Sequence, residues 1–359
     1  MTGTLRAVVV GTSFGGRIHV PALRAAGIDV HALVGRDPER TRRTAEELDV
    51  PLATTSLADA LSDGVASCVT VSTPPDAHAA IVLEALAAGR HVLCEKPFAA
   101  NADEALAMAD AADDAGVVAL VGCEFRFVPA EEVARRAIAC GALGTPRLAT
   151  FIQHSRLLTQ GLHGAFNPDW WFDAQRGGGI LGGGGIHNID RFRTWLGEID
   201  AVSAFVGVVG DRPVDQADDS YTVLARFASG CTGMLQHCAA THADPLRACR
   251  VVGTHGTVAL EGATAVLHDA AGSHVLPEPD ELRLPDAPPP RIDDPKHAFT
   301  SLELPPYTRL AERFRDLVQG RTPGPDEPPS PTFADAVRGQ RVLDAIRASS
   351  RAGGAWTDC

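Results

Sequence analysis

Three stretches of this chain carry residues suited to chemistry. In "CEKPF" (94–98), Glu95 and Lys96 stand directly behind an apolar run and ahead of Pro97. A lysine there is partly desolvated, and beside a positively charged ring its pKa falls toward the range where it both gives and takes a proton. It is equally readable as a surface lysine in a turn. "GTSFGG" (11–16) has the G-x-G-x-x-G spacing, with Gly11 and Gly16 in place, Ser13 at the middle glycine, and Phe14 and Gly15 between. A glycine-rich strand-to-helix turn lets backbone N–H groups face a pyrophosphate, although such turns also serve only to pack a helix on a strand. "GGGILGGGGIHNID" (177–190) spends seven glycines in nine positions and then delivers His187, a side chain whose ordinary pKa suits acid/base work.

Two further strand ends belong with these. "VSTPPDAH" (71–78) supplies Ser72, Thr73, Pro74 and His78 for cofactor binding. "LVGRDPER" (33–40) ends the second strand on Gly35 and Arg36, with Asp37 one step later. A fold that prefers NAD usually ends this strand in a carboxylate for the ribose; a guanidinium there suits a 2′-phosphate, which favours NADP(H) over NAD(H). The other reading makes Arg36 a solvated side chain and Asp37 the N-cap of a helix that begins at Pro38.

The elements that must hold these residues follow from the pattern around them. At 359 residues the chain exceeds the roughly 250 to 300 at which one core stops growing, so two domains are expected. Residues 1–123 alternate β-rich runs, "LRAVVV", "DVHALV", "SCVTVS", "HVLC" and "VVALVG", with amphipathic helical stretches, which implies a doubly wound parallel α/β sheet. Ligands of such sheets bind at the carboxyl ends of the strands, where Thr73, Glu95 and Lys96 fall. Residues 124–359 open with the helical "PAEEVARRAIACGALG" and then run from strand to strand without intervening helices, implying an α+β domain on an antiparallel or mixed sheet. The Pro-rich 277–297 reads as an irregular loop, and "YTRLAERFRDLVQG" and "FADAVRGQRVLDAIRASS" as closing helices.

Composition narrows the partners. With 45 acidic against 32 basic side chains the net charge is −13, which repels nucleic acid and anionic membranes and suits a small-molecule substrate. No apolar run is long enough to cross a bilayer, and the opening residues lack a signal-peptide layout, so a cytoplasmic location is expected. The eight cysteines form no CxxC pair, and neither disulfides nor a metal site is expected.

Taken together, "GTSFGG", "STPPDAH", "CEKPFA" and the glycine-rich histidine segment resemble the Gfo/Idh/MocA family of nicotinamide-dependent sugar oxidoreductases, and the resemblance spans nearly the whole chain. It implies an N-terminal Rossmann domain, a C-terminal α+β domain with a large open, mostly antiparallel sheet, closing helices that pack back toward the first domain, and a homodimer or homotetramer. It also implies that Glu95 binds the nicotinamide ribose, that Lys96 relays the proton of the reacting hydroxyl, that a cis bond precedes Pro97, and that His187 shares the acid/base duty while Asp190 orients its helix. Where relatives carry an aspartate four residues before the histidine, this chain has Gly183, so that duty passes to Lys96, His187, water or another side chain, or the chemistry has changed. His154 and His242 fall at or near positions where relatives contact substrate; Trp170, with Trp171 and Phe172, is suited to walling the pocket by stacking on a sugar face, and Arg126 lies on the cleft side of the domain join; each also has a plain packing or surface reading. The implied reaction moves a hydride between NAD(P)(H) and a secondary alcohol or ketone carbon of a sugar, inositol or related cyclic polyol. A non-sugar ring, such as a dihydrodiol or a secondary-metabolite ketone, is the alternative substrate, and a non-catalytic nicotinamide sensor the alternative class. Retention of Lys96 and His187 argues against the sensor, because binding alone needs neither.

Overall fold

The computed structural model describes residues 4–159, 169–213, 216–289, 297 and 299–359. Two units divide the chain: 1–127 with 284–337, and 128–283 with 338–359. The first unit is thus assembled from two separated stretches, whereas the sequence reading drew one boundary at 123.

In the first unit, β1 (Arg6–Val10), β2 (Asp29–Val34), β3 (Leu52–Thr54), β4 (Cys68–Val71), β5 (His91–Cys94) and β6 (Ala119–Val121) form one sheet in the order β3-β2-β1-β4-β5-β6, with every pairing parallel. This is the strand order of a dinucleotide-binding Rossmann sheet. Its connecting helices are α1 (Val20–Ala25), α2 (Pro38–Glu47), α3 (Leu57–Leu61), α4 (His78–Ala87) and α5 (Ala102–Ala115). Local chemistry sets their ends. Asp37 caps α2 by accepting the Arg40 N–H at 2.7 Å, Asn101 caps α5 through the Glu104 N–H at 2.9 Å, and Gly116 ends α5 at φ +62°. Covered on both faces, the strands bury nearly every residue, as the valine-rich β1 and β4 foretell.

One face of this sheet is closed by α1 together with the helix Thr300–Val318, labelled α8, whose Tyr307, Leu310 and Phe314 are buried with Ile18, Leu23, Leu33 and Leu93. On the other face Val82, Leu86 and Met108 join Phe333 and Val337 from the start of α9 (Phe333–Arg351). The sequence reading opens the penultimate helix at Tyr307; the helix begins at Thr300 and runs through Pro305 and Pro306. The short edge strand β3 was missed too, three half-buried residues carrying almost no alternation signal.

The second unit begins with α6 (Pro129–Ala139) and contains β7 (Pro146–His154), α7 (Ile186–Leu196), β8 (Ile199–Gly207), β9 (Ser220–Phe227), β10 (Thr232–Cys238), β11 (Leu246–Gly253), β12 (Gly256–Glu261), β13 (Thr264–Asp269), β14 (Gly272–Val275) and β15 (Thr357–Asp358). These strands form a nine-stranded sheet, β14-β13-β12-β11-β7-β10-β9-β8-β15, antiparallel except for the β7–β10 pair. Strand alternation sorts its faces. Ala149, Phe151, Val223 and Leu235 point inward against Val133, Ile138, Ile189 and Phe192 of α6 and α7, while Leu148, Leu224, Leu246 and Phe205 stand exposed on the other face. The loop 277–297 contains a short helical turn at Asp280–Leu282, and its residues 290–296 lie outside the described residues. No described helix is long and apolar enough to cross a membrane.

Candidate active site

Parallel pairing brings the turns after β1, β4 and β5 to one edge of the first unit's sheet. Gly11 leaves β1 at φ +120°, and a Cβ there would run into Ser72 Oγ and stand 2.7 Å from the Ser72 carbonyl oxygen. Ser72 itself donates to the Val10 carbonyl at 3.0 Å, tying the β1 and β4 turns together. Gly15 and Gly16 are buried against Val9 and against Leu48 with Thr44, Ser13 is exposed, and Phe14 and Pro74 are half-buried. A Cβ on Gly35 would run into Thr41 Oγ1, so the tip of β2 also requires glycine, and Arg36 stands exposed beyond it. The Thr73 hydroxyl is buried with no hydrogen-bond partner among the described residues. A turn stripped of side chains, an orphaned hydroxyl beside it and an exposed guanidinium at the β2 tip fit a dinucleotide cradle.

Lys96 follows β5, half-buried, and its peptide bond to Pro97 is cis. Glu95 is buried; Oε2 accepts the Lys96 backbone N–H at 3.2 Å, and Oε1 lies 3.3 Å from His19 Nε2, which is in turn 2.8 Å from the Tyr307 hydroxyl. Burial pushes the Glu95 carboxyl up, but the His19 hydrogen bond and the Lys96 charge outweigh it and hold the group below its ordinary pKa. Two more carboxyls surround Lys96. Burial raises Glu124 well above its ordinary value, and raises Glu303, whose Oε2 is 3.6 Å from Arg17 Nη2, to about 7. Burial lowers the Lys96 pKa less than Glu95, Glu124 and Glu303 raise it, and from the protein's own groups it ends above its ordinary value. Sequence reasoning missed His19, Glu124, and Glu303 with Tyr307 on α8, which come from three separate segments.

The second unit holds His187, 9% exposed, in the first turn of α7. Three of the glycines ahead of it, Gly178, Gly179 and Gly183, are demanded by packing. Gly179 has φ +105°, and a Cβ there would run into Asp218 Oδ1. Asp218 Oδ2 accepts the Leu181 N–H at 2.8 Å, and the Asp218 carbonyl accepts the Ile180 N–H at 3.0 Å. Burial pushes the Asp218 carboxyl up to about 6. His237, on the inward face of β10, lies under this turn: a Cβ on Gly184 would stand 3.8 Å from its Cε1, and its ring packs edge-on to Tyr221 at 5.8 Å. Neither nitrogen of His237 has a hydrogen-bond partner among the described residues, and burial, reinforced by the His154 charge, pushes it down to about 4, so the ring is neutral. The alternation in "CTGMLQHC", which aligns His237 with the core residue Leu235, was the signal for it.

Three of the expected contact residues already have partners within the chain. His78 is completely buried, its ring between the Thr73 carbonyl at 2.8 Å from Nε2 and the Phe98 carbonyl at 3.1 Å from Nδ1. It braces the β4 and β5 turns and presents no surface to a cofactor. Arg126, also buried, pairs with Asp335 at 3.2 Å and donates to the Ser330 carbonyl at 3.1 Å, a clamp on the returning segment. His154 shares the open face of the sheet with Leu148, its Nε2 3.2 Å from Gln236 Oε1; β7 alternation turns it away from the face that α7 covers. His242 is exposed in the turn after β10, and Trp170 is half-buried, packed edge-on to Trp171 at 5.6 Å.

Comparison with known proteins agrees with this geometry. Residues 5–123 match the oxidoreductase family, NAD-binding Rossmann fold, and residues 132–259 match the GFO/IDH/MocA C-terminal domain. Curated relatives include D-xylose 1-dehydrogenase (NADP(+)) 2 of Haloferax volcanii, 29% identical with 97% of this chain and 98% of that protein covered. Another is trans-1,2-dihydrobenzene-1,2-diol dehydrogenase of Bos taurus, 33% identical over 57% of this chain and 58% of its own length. Among solved structures, levoglucosan dehydrogenase in complex with NADH and levoglucosan superposes with a TM-score of 0.81 at 24% identity, covering 99% of this chain and 98% of that one. A Rossmann sheet with its glycine turn, a lysine behind β5, a mixed second sheet with a histidine opening its helix, and both family domains matched in order place this chain in the Gfo/Idh/MocA family of oxidoreductases.

Proposed function

We propose that the protein moves a hydride between NAD(P)(H) and a secondary alcohol or ketone carbon of a sugar or related cyclic polyol, with Lys96 handling the hydroxyl proton. The observation that carries this reading is the half-buried Lys96 ringed by Glu95, Glu124 and Glu303. The nicotinamide, when bound, supplies the hydride acceptor or donor. Everything else falls to the chain. Glu95, kept ionised and fixed by His19 and the Lys96 N–H, accepts hydrogen bonds from the cofactor's ribose. Lys96 Nζ gives or takes the proton at the reacting oxygen, and the ionised Glu95 beside it helps hold it charged until that oxygen competes for the proton. His187 shares the acid/base duty from the first turn of α7.

The cofactor preference in this reading is NADP(H). Arg36 is exposed at the β2 tip, and Asp37, the nearest carboxylate, is engaged as the cap of α2 rather than available to a ribose. The apolar open face of the second sheet, with Leu148, Phe205, Leu224 and Leu246 exposed, supports a homodimer or homotetramer. Eight cysteines outside any disulfide and a net charge of −13 fit a cytoplasmic enzyme of small molecules, with no nucleic acid or membrane partner. A dihydrodiol is the second substrate reading, favoured by the likeness to the dihydrobenzenediol dehydrogenase.

The test is a panel of D-xylose, levoglucosan and trans-1,2-dihydrobenzene-1,2-diol with NADP(H) and NAD(H), run on the wild type and on Lys96→Ala. The variant is expected to bind cofactor normally while turnover falls about a hundredfold or more. Unchanged turnover removes Lys96 from the mechanism; cofactor binding with no turnover of any ring favours a sensor.

A further inference from the structure

The glycines immediately ahead of His187 meet different neighbours. A Cβ on Gly185 would lie 3.1 Å from Tyr221 Cε1 and one on Gly184 3.5 Å from Ile180 Cδ1, contacts that small adjustments relieve. Gly183 is different. A Cβ there would run into Cη2 and Cζ3 of Trp171 and stand 2.9 Å from Cζ2. The six-membered ring of the indole therefore occupies the volume that any side chain at 183 would fill, one turn ahead of His187. Its placement is set by the backbone. The Gly179 N–H donates to the Trp171 carbonyl at 2.9 Å, and a Cβ on Gly178 would run into the carbonyl oxygens of Trp170 and Trp171. Trp171 packs against the core of the second unit yet stays partly exposed, and Trp170 supports it edge-on at 5.6 Å with 63° between the rings.

We propose that Trp171 is a specificity-determining residue, whose indole, admitted by the absent side chain at Gly183, is an aromatic wall for the C–H face of a ring substrate. The inference deepens the function proposed above and rests on it. An indole face is electron-rich and attracts the polarised C–H bonds of a saturated ring laid flat on it, but offers no acceptor to a hydroxyl. A ring whose hydroxyls are all equatorial presents such a face. One axial hydroxyl on that side lifts the ring off the wall and loses its own hydrogen bonds to water without replacement. The substrate class selected is thus a cyclic polyol with an unobstructed axial C–H face.

The test compares kcat/KM for D-xylose with that for D-lyxose, D-ribose and L-arabinose, its epimers at the three ring carbons, on the wild type, Trp171→Phe, Trp171→Leu and Gly183→Ala. Thermal stability and cofactor affinity are measured alongside. Trp171→Leu keeps apolar bulk without an aromatic face, and it is expected to erode the preference for D-xylose about three- to tenfold through KM, whereas Trp171→Phe keeps it. Gly183→Ala, by expelling the ring, should reproduce the leucine result and add nothing in the Trp171→Leu background. A leucine variant that retains the preference, or scales all four sugars equally, overturns the proposal. A wild type that turns over none of the four sugars nor any ring of the functional panel removes the proposed function, and this inference falls with it.

Discussion

Asp218 is a buried carboxyl doing a structural task, and its protonation is a measurable part of the second unit's stability. Its Oδ2 accepts the Leu181 N–H at 2.8 Å and so anchors the glycine turn that leads to His187. Burial raises its pKa from the ordinary 3.8 to about 6. Between those values the folded state binds a proton that the unfolded chain releases, so stability falls as pH rises from about 4 to about 6 and then levels off. The difference, 6 minus 3.8, corresponds to about 3 kcal/mol lost at neutral pH relative to acid. Asp218→Asn keeps an oxygen for the Leu181 N–H but carries no charge to desolvate. Allowing about 1 kcal/mol for exchanging a charge-assisted hydrogen bond for a neutral one, the variant should be about 2 kcal/mol more stable than wild type at pH 8. For a unit of this size that is a Tm rise of roughly 4 to 8 °C. At pH 4, where both side chains are neutral, the gain should vanish. Melting the two proteins side by side at both pH values cancels every other titrating group. A variant less stable than wild type by the same margin at pH 4 and pH 8 would refute the argument, because the charge would then be wanted rather than tolerated.

Other perturbations probe the first unit. Arg36→Ala should raise the Kd for NADP(H) about tenfold or more and leave that for NAD(H) nearly unchanged, read by quenching of cofactor fluorescence. Gly11→Ala forces a Cβ at φ +120° toward the Ser72 carbonyl and is expected to destabilise the unit by about 2 kcal/mol or more in urea melts while abolishing dinucleotide binding. Tyr307→Phe removes the hydroxyl 2.8 Å from the buried His19 Nε2; about 1 to 3 kcal/mol of stability should go with it, measured by chemical denaturation.

What could be read without coordinates was whatever depends on neighbours in sequence. Valine runs gave β1 and β4 both position and double-sided burial, and Asp37 ahead of Pro38 announced the cap of α2. Chemistry assembled across the chain was invisible. Glu303 and Tyr307 reach Glu95 and Lys96 from a helix hidden behind a proline pair, and no local signal ties them to "CEKPF". For His154 the limit was different: its strand was legible but its face was not, and the parity that makes Phe151 a core residue turns His154 outward. Arg126 and His78 were recognised as special by residue type; their partners, carbonyls and a carboxylate already in place, make them braces.

The first unit's two-part make-up also governs the order in which the chain can fold. Tyr307, Leu310, Ala311 and Phe314 are completely buried in one cluster with Ile18, Leu23 and Ile28, so a ribosome that has released only residues 1–127 has produced a sheet with one apolar face only partly covered, by α1. The whole of 128–283 must emerge before α8 can complete that face. Excision as a fragment ending at residue 127 would make that exposure permanent; a soluble cofactor-binding module calls for 284–337 to be spliced back on.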